Sequence, residues 1–173
     1  MCKKIIILCL MLMVVMASSC FAYTRIPFST NFNIQEFVQN FNNRHMEQEE
    51  LTIVSIKTSL ADNGNTKYKC IFADNYSYLL LEASGNTLWR LSGIALPKDG
   101  YYQKAIHSIY SAAKIVGAPG TRNEFLNSLN AVFNKKKARM FARGSKGYGD
   151  EYWGVEAGKV KEGFFVGIAV WKQ

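Results

Sequence analysis

The chain has 173 residues, a formal net charge of +8 and four cysteines. This length suits one domain, and so few cysteines exclude a small scaffold held together by disulfides. The basic excess favours either an anionic partner or a solvated face that keeps the protein soluble.

The first predicted element is a secretory signal peptide over residues 1–22. Two lysines are followed by a 13-residue apolar run and then by small residues. A membrane-spanning helix needs about 20 apolar residues, so the run suits a signal that is removed better than an uncleaved anchor. We expect cleavage before Tyr23; the alternative is a degenerate lipobox that leaves Cys20 as a lipid-modified N-terminus. The protein is therefore expected to be exported, either to a periplasm or out of the cell.

Residues 23–173 are expected to fold as a single domain whose first helix begins at Asn33. Asn33 is a good N-cap, and Glu36 stands where a capping box needs its second member. Phe37 and Phe41 fall on one face at helical spacing, so both are predicted to be buried.

Four strands are predicted after this helix, joined by turns rich in Asn, Asp and Gly. Many of their residues are β-branched or alternate between apolar and polar, which is typical of an antiparallel meander. Cys70 lies in an alternating stretch without a neighbouring base, so it is interpreted as a core residue and not as a catalytic thiol. The four strands are predicted over residues 51–59, 67–73, 76–83 and 87–96.

Two further helices are predicted in the middle of the chain. Residues 102–116 carry apolar and small side chains at helical spacing, and Gly and Pro residues end the pattern. Thr121 and Glu124 repeat the capping-box pattern. Phe125, Leu126, Leu129 and Phe133 give the helix that follows its apolar face, and Leu126 and Leu129 are predicted to be buried.

The C-terminal part is predicted to return to β structure, with strands over residues 138–143, 152–157 and 163–171. In the last of these, Val166 and Ile168 share one apolar face, and the opposite face is apolar as well. A strand with two apolar faces is expected at the centre of a sheet, covered on both sides. The predicted fold class is therefore α+β: an antiparallel sheet of about six or seven strands with about three helices packed on one face.

The two halves of the chain are alike in sequence. Residues 78–96 align without gaps on residues 152–170, with six identities in nineteen positions. If this similarity reflects a duplication, residues 33–96 and 121–171 are two αβ-meander repeats related by a pseudo-twofold axis. The alternative is a chance likeness between two hairpins that meet similar demands.

Aromatic and basic residues are concentrated in the last third of the chain. Protein interfaces use arginine and aromatic side chains at their strongest contacts, and aromatic rings also stack on sugars. If residues 138–143 form a regular strand, Arg139, Phe141 and Arg143 share one solvent-exposed face. The alternative is that the aromatic residues fill the core of a β-rich segment. The candidate partner-binding residues are Arg139, Phe141, Arg143, Lys146, Tyr152 and Trp153.

Patterns for catalysis and metal binding are weak. The two histidines have no second ligand at metal-binding spacing, and no phosphate-binding or dinucleotide-binding motif is present, so no metal or cofactor is predicted. Asp150, Glu151 and Glu156 form a late acidic cluster of the kind that a hydrolase needs.

These observations favour a non-catalytic binding module of the cell envelope or exterior that contacts protein or polysaccharide. The alternative is a small hydrolase that acts on envelope polymers. The expected partner is an anionic envelope component or another protein, and no nucleic acid is expected after export.

Overall fold

The computed structural model describes residues 24–44, 50–96, 101–135, 139–145, 150–161 and 163–172. The predicted signal peptide, the Cys20 alternative and the candidate residue Lys146 lie outside these residues.

Within the described residues the chain forms eight strands and three helices. The strands are β1 (Thr24–Arg25), β2 (Ile53–Leu60), β3 (Thr66–Phe72), β4 (Tyr78–Ser84), β5 (Thr87–Ala95), β6 (Arg139–Ser145), β7 (Asp150–Val160) and β8 (Gly163–Lys172). The helices are α1 (Ile34–Asn43), α2 (Tyr101–Ile115) and α3 (Arg122–Lys135).

The strands build one antiparallel sheet with the order β2-β3-β4-β5-β8-β7-β6. β2 to β5 form the predicted meander, and β6 to β8 form a second one. The two meanders join where β5 pairs with β8, so that Leu91 lies opposite Ile168. β1 pairs with the C-terminal end of β8. It lies on the same edge of β8 as β5, which pairs with the N-terminal part of that strand. The predicted α+β class with an antiparallel sheet is confirmed.

The three helices pack on one face of this sheet, which we call the helix face. Phe41 of α1 stacks on Phe72 of β3 with 5.9 Å between ring centroids. Ile109 of α2 lies directly on Gly93 of β5, in space that a larger residue at position 93 would fill. α3 packs across β6 and β7. The core therefore lies between the helices and this single face.

Both predicted N-caps form, but the reciprocal bond of a capping box is present only at Thr121 and Glu124 and not at Asn33 and Glu36. The side chain of Asn33 accepts hydrogen bonds from the backbone N–H groups of Gln35 and Glu36. The backbone N–H and hydroxyl of Thr121 both donate to the Glu124 carboxylate, and the Glu124 N–H donates back to the Thr121 hydroxyl. Both helices thus begin with otherwise unpaired N–H groups satisfied by side chains.

The core assignments hold with one exception. Leu126 is only partly buried, because α3 turns the neighbouring Phe125 and not Leu126 toward the sheet. Cys70 is completely buried, and burial raises the pKa of its thiol to about 12, which agrees with a core role. The predicted core residues that are buried are Phe37, Phe41, Leu129, Val166 and Ile168.

β8 is central in the sheet, as predicted, but the expectation that it is covered on both sides is wrong. Val166 and Ile168 point to the helix face, while Phe165 and Trp171 point to the opposite face and stay partly exposed. Among the described residues no helix packs on that opposite face, which we call the open face.

The proposed duplication stays unconfirmed. The two aligned segments both form hairpins, β4–β5 and β7–β8. The ungapped alignment, however, places Gly93, which touches α2 on the helix face, on Gly167, which touches Glu156 on the open face. In the second strands of the two hairpins, aligned residues therefore point to opposite faces of the sheet.

Candidate functional site on the open face of the sheet

A row of four side chains crosses the open face from β1 to β6. Arg25 is the cross-strand neighbour of Trp171, Trp171 of Tyr152, and Tyr152 of Arg143. Cross-strand neighbours point to the same face, and adjacent strands lie about 4.8 Å apart, so the row is about 14 Å long. We call these four residues the aromatic–arginine row.

Glycine sets the position of the tryptophan in this row. The six-membered ring of Trp171 lies on Gly154 of β7, and a Cβ at position 154 would come within 2.5 Å of ring atom Cζ3. Gly154 lies between Tyr152 and Glu156 on the same face of β7. The missing side chain leaves room for the indole to lie against the backbone, where rigid strands hold it.

Arg143 is tied to its neighbours by three contacts. Its Nη2 donates to Asp150 Oδ2 at 2.8 Å and to the Tyr152 hydroxyl at 2.9 Å. Its guanidinium carbon lies 5.0 Å from the centroid of the Tyr152 ring. The bond to the Tyr152 hydroxyl and the charge of Asp150 raise the pKa of Arg143, so this end of the row keeps its positive charge. All of these groups except the Tyr152 ring are exposed to solvent.

Arg25 supplies the positive charge at the other end. It is exposed, and its Nη2 donates to the backbone carbonyl of Trp89 at 3.4 Å. Trp89 is itself 38% exposed but lies outside the row. The row therefore presents two partly buried aromatic rings between two solvent-exposed guanidinium groups.

The predicted exposed face of residues Arg139, Phe141 and Arg143 does not form. A β-bulge between Met140 and Ala142 adds one residue to β6, which reverses the alternation of side chains. Phe141 is 7% exposed and packs edge-on against a phenylalanine of α3. Arg139 is exposed but pairs with a β7 residue of the helix face, whereas Arg143 pairs with Tyr152 of the open face.

Trp153 was also predicted to contact a partner, but the structure buries it. It is 1% exposed, because its side chain points to the helix face and packs on Phe28 with 5.6 Å between ring centroids. Of the six candidate residues, Tyr152 and Arg143 meet in the row. Arg139 lies apart, Phe141 and Trp153 are buried, and Lys146 lies outside the described residues.

The acidic cluster considered for a hydrolase does not converge. Glu151 points to the helix face and is buried, while Asp150 and Glu156 point to the open face, six residues apart along β7. Strand residues rise about 3.3 Å each, so the latter two carboxylates are about 20 Å apart, well beyond the spacing of a glycosidase pair.

In the part of the chain that the structure describes, no three His, Cys, Asp or Glu side chains gather as metal ligands. None of the described helices is long and apolar enough to cross a membrane.

Comparison of the chain with protein-family models, with curated proteins and with solved structures finds no match in any of the three. The geometry of the row is therefore the feature from which a function can be inferred.

Proposed function

We propose that the protein is a non-catalytic binding module that holds an anionic polysaccharide of the cell envelope or exterior over the aromatic–arginine row. The observation that carries this proposal is the alignment of Trp171 and Tyr152 side by side between Arg25 and Arg143. The hydrolase alternative has no comparable support, because its acidic residues point to opposite faces of β7.

Several features of the row suit a sugar polymer. Aromatic rings fixed on strands offer a flat apolar surface to the C–H faces of sugar rings and cost little side-chain entropy on binding. The Arg143–Asp150 pair beside Tyr152 offers both donors and acceptors to hydroxyl groups. A length of about 14 Å is greater than one sugar ring, so the row suits a chain and not a monosaccharide.

The charge of the row favours an acidic polymer. Arg25 and Arg143 carry two positive charges against the single negative charge of Asp150. Exposed charges are screened over about 8–10 Å at physiological salt, so the arginines steer a polyanion and make its binding sensitive to salt.

The experiment is affinity electrophoresis of the purified protein in gels that contain polygalacturonate, with neutral dextran as the uncharged comparison. Trp171→Leu keeps an apolar cover on Gly154 but removes the aromatic surface. Since a tryptophan at the centre of a binding surface contributes about 2 kcal/mol or more, we expect at least about thirtyfold weaker binding. Trp89→Leu is the matched control, because Trp89 is exposed outside the row.

The arginines are tested by the Arg25→Ala, Arg143→Ala double variant, with Arg90→Ala as an exposed arginine outside the row. We expect the double variant to bind polygalacturonate more weakly and to lose most of the salt dependence. Equal retardation of the wild type, the Trp171 variant and the double variant would show that the row does not bind the polymer.

A further inference from the structure

A second group of positive charges lies on the open face, at the edge of the sheet far from the aromatic–arginine row. Lys57 of β2 is exposed, and Lys69 of β3, its cross-strand neighbour, is partly buried. Their cross-strand line continues through Leu80 and Ser92 to Gly167, which lies on the open face. We call Lys57 and Lys69 the lysine pair.

The lysine pair has no acidic partner among the described residues. None of the described ion pairs involves a lysine. Glu82, the acidic residue on the open face of β4, pairs with Arg90 at 3.5 Å and lies directly across from Lys67. Like charges directly opposite each other on neighbouring strands repel, because their Cβ atoms are only about 4.5–5.5 Å apart. An anion bound between the two ammonium groups would relieve this repulsion.

Tyr78 fixes the position of one of the two ammonium groups. Lys69 Nζ lies 3.7 Å from the centroid of the Tyr78 ring, which is a cation–π contact. The contact holds the charge above the sheet, so less side-chain entropy is lost when an anion binds. Lysines on an edge strand deter pairing with other chains, which accounts for Lys57. This role does not account for Lys69, because β3 is paired on both sides.

A hollow in the open face lies between the lysine pair and the aromatic–arginine row. Lys69 and Trp171 are separated by three strand spacings and by an offset of four residues along the strands, so they are about 20 Å apart. The hollow has a volume of about 210 Å³ and lies over the intervening strands β4 and β5. Its lining residues include Leu80, Ser92 and Phe165. A polymer that lies on Trp171 can therefore continue across the sheet to Lys69.

We propose that the lysine pair is a second subsite for the acidic polysaccharide, where it binds a carboxylate of the same chain that stacks on the row. This inference rests on the proposed function. The two ammonium groups share the carboxylate, and the sugars between the two subsites pass over the hollow. Two subsites on one polymer reinforce each other, because binding at one raises the effective concentration at the other. Fragments too short to span about 20 Å are therefore held less tightly than the polymer.

The test is affinity electrophoresis of the Lys57→Gln, Lys69→Gln double variant in gels that contain polygalacturonate. We expect at least about threefold weaker binding than that of the wild type at low salt, because two exposed ionic contacts are lost. The Lys104→Gln, Lys159→Gln double variant is the matched control and should bind as the wild type does. It removes the same net charge from positions off the open face: Lys104 lies on α2, and Lys159 is the cross-strand neighbour of Phe164, which packs against α2 and α3.

Three results would overturn the second subsite. If the lysine-pair variant binds no more weakly than its control while Trp171→Leu binds more weakly than the wild type, the proposed function stands without the lysine pair. If the lysine-pair variant binds weakly but Trp171→Leu binds as the wild type does, the polymer lies on the lysines without the row, and both proposals fail. Equal retardation of all these variants and the wild type would also contradict both.

Discussion

The indole of Trp171 in β8 lies on the backbone of Gly154 in β7, in the space that a side chain at position 154 would otherwise occupy. A Cβ at position 154 would lie 2.5 Å from ring atom Cζ3 and 3.0 Å from the backbone oxygen of Arg139. The first distance is too short for any real Cβ contact, and the second is tighter than most and involves backbone that cannot rotate away. The glycine is therefore a requirement of the row.

Gly154→Ala is expected to displace the indole and to destabilise the protein by about 1–3 kcal/mol, the usual cost of overpacking. Gly158→Ala is the matched control in the same strand, because a Cβ there meets no atom within 4 Å. Chemical denaturation measures both. Equal midpoints for the two variants would show that the indole moves aside without cost.

Phe41→Ala should cost about 3–5 kcal/mol, since it removes a buried ring and leaves a cavity. Phe41 is buried between Phe37 and Phe72, with ring centroids 6.2 and 5.9 Å away. Val54→Ala at an exposed strand position serves as the control and should change stability by less than about 0.5 kcal/mol. If urea denaturation shows that Phe41→Ala lowers the free energy of unfolding by less than about 1 kcal/mol, the described packing of α1 on the sheet is wrong.

Glu82 should make stability depend on pH in the acid range. Hydrogen bonds from the side chains of Asn63 and Asn65 lower the pKa of its carboxyl below the ordinary value of 4.5. A lowered pKa means that the charged form is favoured in the folded state, so this stabilisation is complete above about pH 4.5 and is lost as pH falls through the folded value.

Glu82→Gln removes the titrating group and tests this expectation. The variant should be less stable than the wild type at pH 7, and the difference should shrink toward pH 3. Glu156→Gln, an exposed acid on the same face, controls for the loss of a surface charge. Parallel stability curves for wild type and Glu82→Gln between pH 7 and pH 3 would contradict the assignment.

The N-terminus yields a prediction that depends on sequence alone. The positive start and short apolar run predict cleavage before Tyr23. Intact-mass measurement of the protein recovered from its producing cells should give a chain that starts at or near Tyr23. A chain that starts at a lipid-modified Cys20 would favour the lipoprotein alternative, and a full-length soluble cytoplasmic chain would exclude both.

The elements of the fold were predictable because their signals are local. The capping patterns at Asn33 and Thr121 and the alternation around Cys70 each lie within a few residues of the element that they define. Leu126 was assigned to the buried face together with Phe125, because the two residues are adjacent and both apolar. The choice between them depends on how α3 lies across β6 and β7, which no local pattern records.

The aromatic–arginine row was less predictable, since it depends on pairing between distant parts of the chain. The bulge beside Phe141 leaves no mark in the alternation of β6, yet it moves Arg139 and Arg143 to opposite faces. Arg25 joins Trp171 only because β1 pairs with the last strand. Tyr152 and Arg143 were identified from composition, while their partners in the row follow from the register.

The seam between β5 and β8 also constrains how the protein is made. β2 to β5 pair with sequence neighbours and can close as soon as they are synthesised, but β5 waits for the last strand of the chain. Until then its free edge, which carries Leu91 and Ile94, is an unpaired apolar strand of the kind that recruits other chains. A ribosome that stalls before β8, or a protease that removes it, would leave a fragment whose exposed strand edge favours aggregation.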